Sequence, residues 1–318
     1  MQRTALLLFV LAFCNIQAFE KIVIWGHKLD THTHSYIHYG FERAFKHLGY
    51  PTYWFDDADD VSQFDFSNAL FLTAGTVENN IPLREDCHYI LHNCDSPKYR
   101  PWLQSKKAIR LQVYTDDVLS RNVVKVDDFI YYDLSSEEKV AYMPWATDLL
   151  PDEIEECKKK VVQRERAVFW VGSLYGGPFG NTDELQGWIR ACGEQGIAFH
   201  HSNPWARPIS MQEHCALIAR SYMAPAIVGT WQKEKGYIPC RIFKNISYGQ
   251  MGITNSRHTY ELFKGKIVYN PDTYQLFFDA QERLHHLQLE ELYELMDFVK
   301  TKHTYLNRIE TLLQLFDS

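Results

Sequence analysis

GYIPCRIFKNISYGQMGITNS, Gly236 to Ser256, reads as a helix built to hold an anion at its N-terminal end. Pro239 suits the first helical turn and Gly249 the position just past the last, which sets the expected helix limits. Between them Ile242, Phe243 and Ile246 form an apolar stripe, while Arg241, Lys244, Asn245 and Tyr248 recur at spacings of three, four and seven on the opposite side. The apolar segment MGIT follows Gly249 as a strand would, and strand–helix alternation is the context in which phosphates sit at helix N-termini. A plainer reading makes Arg241 and Lys244 the solvated side of a surface helix. The rest of the chain has to decide between the two.

Upstream, from Phe19, short apolar runs alternate with amphipathic helical patterns. The first strand is expected at Lys21 to Trp25 and the first helix at about Ser35 to Leu48. Further strands are expected at Thr52 to Phe55, Ala69 to Thr73, Tyr89 to His92, Ala108 to Tyr114, Phe129 to Tyr132 and Ala141 to Pro144. Short, mostly apolar strands suit a parallel sheet covered on both faces. The charged stretch from Asp152 to Arg166 reads as a linker helix. A second alternating half starts at Ala167, with strand AVFWVG, a loop from Ser173 to Asn181, helix Thr182 to Gln195, strand IAFHH, helix Ser210 to Arg220 and strand APAIVG. The opening motif, helix His258 to Lys264, strand KIVYN and further helices follow, the last of them, Thr304 to Phe316, placed to pack back on the first half. The expected organisation is a leader over 1–18, a Rossmann-like domain over 19–150, a linker helix over 151–166 and a second Rossmann-like domain over 167–318. The fold class is α/β, with two doubly wound domains facing each other across a cleft at the carboxyl ends of their strands, where ligands of such sheets bind.

Size and charge narrow the function. The 318 residues, 46% apolar and 14% aromatic, can bury a large core in two domains. A formal net charge of -7 speaks against nucleic acid as a partner, since phosphate backbones are held by an excess of Lys and Arg. Any phosphate site must be local.

Arg3, the apolar run Ala5 to Phe13 and the small residue Ala18 have the layout of a secretory signal peptide, and the run is shorter than a membrane span. No transmembrane segment is expected. With that signal the protein belongs to the secretory pathway, the periplasm or the exterior; without it, to the cytoplasm. Beyond Cys14, the six cysteines Cys87, Cys94, Cys157, Cys192, Cys215 and Cys240 are an even number that an oxidising compartment could pair. Cys157, Cys192 and Cys215 fall in helices far apart in sequence, as ordinary core thiols do. No CxxC or His-Cys spacing suggests structural zinc, and no cofactor is expected.

KIVIWG followed by a helix ending at HLGY, YMPWATD before the linker, VFWVGS opening the second half and YIPCRIFKNISYGQMGITNS together resemble glycosyltransferases of the two-Rossmann-domain, or GT-B, type. The likeness is greatest to the bacterial CgeB-like group with its C-terminal glycosyl transferase family 1 region. The resemblance implies an enzyme that moves a sugar from a nucleotide-sugar donor to a hydroxyl of a glycan or other acceptor, with the donor in the second half and the acceptor in the first. In related families the helix carries R-x-F-E, and Lys244 stands here where the acidic residue would be. A carboxylate at that place commonly binds sugar or ribose hydroxyls, whereas an ammonium favours phosphate oxygens. Lys244 resembles instead the basic residues of a comparable GYxTEK segment in α1,3-fucosyltransferases, with Arg241 in the place of that lysine.

Transfer from a nucleotide sugar builds negative charge on the leaving diphosphate. GT-B sites stabilise it without metal, through cationic side chains, backbone N–H groups and a helix dipole. Arg241, Lys244, Asn245 and Tyr248 on the helix and Gly172-Ser173 after the strand are the expected donor residues, although a Gly-Ser pair is also an ordinary tight turn. An acceptor hydroxyl needs a base near neutral pKa. Of His27, His32, His34 and His38 between the first strand and helix, His34 is the expected base, fifteen residues before Gly49. That distance is similar to the one in plant-type UDP-glycosyltransferases. His34 and His38 also have the i,i+4 spacing of metal ligands. The pairs Asp56-Asp57, Asp59-Asp60, Asp116-Asp117 and Asp127-Asp128 lack the intervening residue of a DxD motif and suit turns. The competing functions are a nucleotide-sugar epimerase on the same scaffold and a non-catalytic nucleotide- or sugar-binding protein.

Overall fold

The computed structural model describes residues 19–316 apart from 30–33, 74–80, 95, 115–122, 128, 134–137, 161 and 205. The expected leader 1–18, His32, Asp116, Asp117 and Asp128 lie outside the described residues. In chain order the first half holds β1 (Lys21–Trp25), α1 (Ser35–His47), β2 (Thr52–Phe55), β3 (Ala69–Thr73), β4 (His88–Leu91), α2 (Arg100–Leu103), β5 (Ala108–Gln112), β6 (Val124–Lys125), β7 (Tyr131–Asp133) and β8 (Val140–Tyr142). Next come α3 (Pro151–Lys159), β9 (Ala167–Val171), α4 (Thr182–Glu194), β10 (Ala198–Ser202), α5 (Met211–Arg220), α6 (Thr230–Glu234) and α7 (Cys240–Ser247). The chain ends with β11 (Ile253–Thr254), α8 (Arg257–Leu262), β12 (Val268–Tyr269), α9 (Thr273–His286), α10 (Leu289–Lys302) and α11 (Tyr305–Gln314).

The first half forms one sheet in the order β2-β1-β3-β4-β5-β8-β7-β6. Its strands alternate between two buried faces, so that Ile22 and Ile24 of β1 pack with Ile37, Phe41 and Phe45 of α1 and Ile309 and Leu312 of α11. Val23 and Trp25 of β1 point to the other face, where they cluster with Phe71 of β3, Tyr89 of β4 and the covering residues Phe66 and Tyr99. Among the described residues that second face is covered by irregular segments and the four-residue α2 rather than by a full helical layer. The sheet is also not wholly parallel, because β7 pairs antiparallel with both β8 and β6 at one edge. A short antiparallel return needs no crossover helix, and among the described residues none lies between β6 and β8.

In the second half β9 pairs parallel with β10, and β11 with β12. The expected strand APAIVG is only a bridge, Ala226 to Thr254, because Pro225 has no N–H to give a ladder. Tyr222 N–H instead donates to Ala167 O at 2.7 Å and Ala226 N–H to Ile253 O at 2.8 Å, so this segment lies between β9 and β11. Trp170 and Val168 face Trp188 of α4 and Phe277 of α9, while Val171 and Ala226 face Ile242 and Ile246 of α7 and Val299 of α10.

The charged linker segment is helical only to Lys159, where the following Lys160 is already extended (ψ 123°) and two β-branched residues, Val161 and Val162, come next in sequence. Glu155 and Lys158 of α3 pair with Lys300 and Asp297 of α10, and Glu153 pairs with Arg43 of α1 at 2.6 Å. α11 returns to the first half and packs on α1. Among the described residues no helix is long and apolar enough to cross a membrane.

Candidate functional site

α7 begins one residue after Pro239, which is its N-cap (φ -71°, ψ 140°), and ends in a tight C-terminal turn. Gly249 N–H reaches Ile246 O and Gln250 N–H reaches Asn245 O, both at 3.0 Å, and Gly249 takes φ +92° to make this possible. The apolar stripe enters the core as read. The basic face does not go to solvent: it meets the first half and the loop after β9.

The Arg241 guanidinium carbon lies over the indole of Trp170, 3.8 Å from the ring centroid, and Nη1 donates to Val171 O at 2.7 Å. A Cβ on Gly172 would sit 2.6 Å from Arg241 Nη2, and Gly172 has φ +131°, so only glycine lets backbone and guanidinium approach this closely. Burial lowers the Arg241 pKa to about 10, which leaves it a cation at neutral pH.

Lys244 is only 8% exposed and is ion-paired, Nζ to Asp148 Oδ2 at 2.8 Å, with Asp148 2% exposed. Tyr248 donates its hydroxyl to Asp148 Oδ1 at 2.6 Å. Burial pushes the Asp148 carboxyl up, but the Lys244 ammonium and the Tyr248 hydroxyl pull it further down, below its ordinary value. Asp148 is the last residue of YMPWATD. Next to it Thr147 Oγ1 and Ser247 Oγ share a hydrogen bond of 2.7 Å. From the opposite side the buried Arg308 of α11 donates to Pro144 O at 2.8 Å and Trp145 O at 3.3 Å. YMPWATD is thus pinned between α7 and α11.

Gly172, Ser173, Arg241, Lys244 and Asn245 line one cavity of about 90 Å³ together with Tyr36, Val171, Pro204, His214 and Cys240. Tyr36 comes from the first turn of α1, so both halves contribute, and the Lys244 ammonium is 5.6 Å from the Tyr36 ring centroid. His214 of α5 is buried beside Tyr248. Burial, then the charges of Lys244 and Arg241, depress its pKa to about 3, so the imidazole is neutral. Asn245 Nδ2 donates to Ala224 O at 2.8 Å and ties α7 to the segment beside β9.

The expected residues divide accordingly. Five of the six donor-site positions converge on the cavity, and Tyr248 stands behind it on Asp148. His34 is the residue just before α1, with its ring 6.1 Å from that of His92 at the end of β4. It sits near the point where the first sheet reverses its strand order, β1 to β3, two residues from Tyr36. His38 is fully buried with Nδ1 3.3 Å from His27 O. Asp56 and Asp60 carboxylates accept from the backbone N–H groups of Ala58 and Ser62, as turn residues do. Tyr36, His214, Cys240 and Asp148 were not singled out from the sequence. Asp148 and Cys240 carried a positional signal, each lying within one of the motifs YMPWATD and YIPCRIFKNISYGQMGITNS.

No protein-family model matches the chain, and no curated protein matches it. Solved structures do. AviGT4, a glycosyltransferase involved in avilamycin A biosynthesis, aligns with a TM-score of 0.56 and 8% identity over 93% of this chain and 97% of its own. An alpha-glucosyltransferase in complex with UDP gives a TM-score of 0.56 and 9% identity over 93% of this chain and 99% of its own. At such identities the likeness is one of fold. The chain has the two-domain α/β fold of GT-B glycosyltransferases.

Proposed function

We propose that this chain is a glycosyltransferase that moves a sugar from a nucleotide-sugar donor to an acceptor hydroxyl without a metal ion. Residues 167–318 hold the donor, 19–150 the acceptor, and 151–166 link them. The observation that carries the reading is the cavity in which a glycine loop after a strand, the Arg241 guanidinium and the first turn of α7 meet Tyr36 of the opposite half. Backbone N–H groups, a fixed guanidinium and a helix N-terminus are the means by which a protein stabilises a leaving diphosphate without metal. The UDP bound by the structurally similar alpha-glucosyltransferase supports a nucleoside diphosphate as the leaving group.

Arg241 is the chief diphosphate ligand, with Gly172 and Ser173 supplying backbone and hydroxyl donors. Lys244 acts from within its pair with Asp148, and Asn245 and Tyr248 fix the helix. His34 takes the acceptor proton.

The pairing of Lys244 with Asp148 also favours a second reading, a nucleotide- or sugar-binding protein without turnover, because the ammonium's charge is already balanced. A thermal-shift panel of UDP-, GDP-, dTDP- and CMP-sugars, each with and without EDTA, followed by an assay for nucleoside diphosphate release, separates the readings. A ligand at a hundred times its dissociation constant adds about 2.7 kcal/mol of stability. Binding with release supports transfer, binding without release supports the second reading, and no binding by any nucleotide contradicts both.

A further inference from the structure

Cys157 and Cys215 are 58 positions apart on different helices, yet their sulfurs are 4.0 Å apart. Both are partly exposed, and both line an open cavity of about 530 Å³ between α3 and α5 together with Glu153, Met211, Ala219 and Tyr248. The other described cysteines differ. Cys87 and Cys192 are fully buried and Cys94 is 3% exposed, while Cys240 lies in the donor cavity. We infer that Cys157 and Cys215 are a thiol pair that oxidises reversibly to a disulfide, joining the helix that links the two halves to the helix that carries His214.

Contact between two sulfurs at 4.0 Å leaves about 2 Å to close to a bond, and both thiols sit on a wall that a small oxidant can reach. Their roles in the step are unequal. A hydrogen bond from Cys215 and the nearby Lys160 bring the Cys157 thiol down to about 7, against the opposing effect of burial, while the Cys215 thiol is pushed up. The Lys160 ammonium favours a thiolate on Cys157 and the Asp148 carboxylate disfavours one on Cys215, which assigns Cys157 as the attacking thiolate and Cys215 as the resolving thiol. With a low-molecular-weight disulfide such as glutathione disulfide, the Cys157 thiolate attacks one sulfur and expels a glutathione thiolate, leaving a mixed disulfide. Cys215 gives up its proton and attacks the Cys157 sulfur, expelling the second glutathione. Two protein thiols are oxidised, one glutathione disulfide is reduced to two glutathiones, and the two protons pass to the expelled thiolates.

The test is to treat the full-length protein with glutathione disulfide, alkylate the remaining thiols and map the peptides without reduction. The expected result is a cross-linked peptide pair joining Cys157 to Cys215, restored to free thiols by dithiothreitol. These two thiols should be lost roughly tenfold or more faster than Cys87, Cys94 and Cys192. Cys215→Ser should stop at a glutathione adduct on Cys157, and Cys157→Ser should leave Cys215 largely unmodified. Glutathione persisting on either wild-type cysteine with no cross-link, a cross-link to Cys240 instead, or no loss of the two thiols would overturn the proposal.

Discussion

Asp148 Oδ2 and Lys244 Nζ lie 2.8 Å apart in a setting where neither side chain is more than 8% exposed, and the two residues belong to opposite halves of the molecule. Two sequence motifs, YMPWATD and the α7 segment, thus form one joint. Removing one member leaves the other charge buried without its counterion, which costs about 3–5 kcal/mol. Asp148→Asn and Lys244→Met should each lose about that much by urea unfolding. The double variant should lose less than the sum by about 1–3 kcal/mol. Strictly additive losses would mean that the pair contributes nothing to the joint.

The pH dependence of stability follows from His214 before it follows from Asp148. The unfolded imidazole takes a proton near pH 6.5, the folded one only near 3, so the unfolded state binds more protons between these values. Stability is then full above about pH 6.5 and falls as pH drops through that window, by at most about 1.4 kcal/mol per pH unit for one group. The buried His303 acts in the same direction. Asp148, whose folded pKa is below 3.8, contributes stability that is lost only at more acid pH. Denaturant unfolding at pH 7 and pH 5 should show His214→Gln losing about 1.5–2 kcal/mol less than the wild type over that interval. Equal losses would show that His214 is protonated in the fold.

Cys240 lines the same cavity as Arg241 and remains partly exposed. It therefore reports occupancy without any mutation. A bound nucleotide should slow alkylation of Cys240 by N-ethylmaleimide roughly tenfold or more at saturation while leaving Cys157 unaffected. Unchanged labelling of Cys240 in the presence of a nucleotide known to bind would move the donor elsewhere.

His34→Ala should lower turnover by about 10² to 10⁴ while donor affinity stays near wild type, because His34 does not line the proposed donor cavity. Steady-state kinetics with a saturating donor make the comparison. Turnover within about threefold of wild type would remove His34 from the mechanism.

Much of the fold was legible because its signals are local. Strands β1, β2 and β3 have the limits that alternation and turn residues predict, and Gly249 ends α7 as its position implied. The exceptions have physical reasons. Pro225 removes a ladder donor and turns an expected strand into a bridge, and β6 is too short and exposed to show a period. For the site, periodicity marks which residues share the polar face of α7 but not what that face meets. Arg241 met an indole and a glycine, whereas Lys244 met a carboxylate from 96 positions upstream. His214 and Tyr36 gave no signal at all, since a histidine in an amphipathic helix and a tyrosine in a first turn are ordinary until the tertiary contact is known. The pairing of Cys157 with Cys215 was hidden for the same reason: two thiols on separate helices say nothing of their distance.

The central claim is that Arg241, fixed on Trp170 beneath Gly172, holds the donor diphosphate without a metal. Its most direct test is calorimetric titration of the nucleoside diphosphate that stabilises the wild type, in EDTA, into wild type and Arg241→Ala of matched circular dichroism. Loss of a charge-assisted hydrogen bond to phosphate should weaken binding by about 1.5–3 kcal/mol, roughly 10- to 150-fold, with EDTA making no difference to the wild type. Equal affinity in the two proteins, or wild-type binding that vanishes in EDTA, would contradict the account.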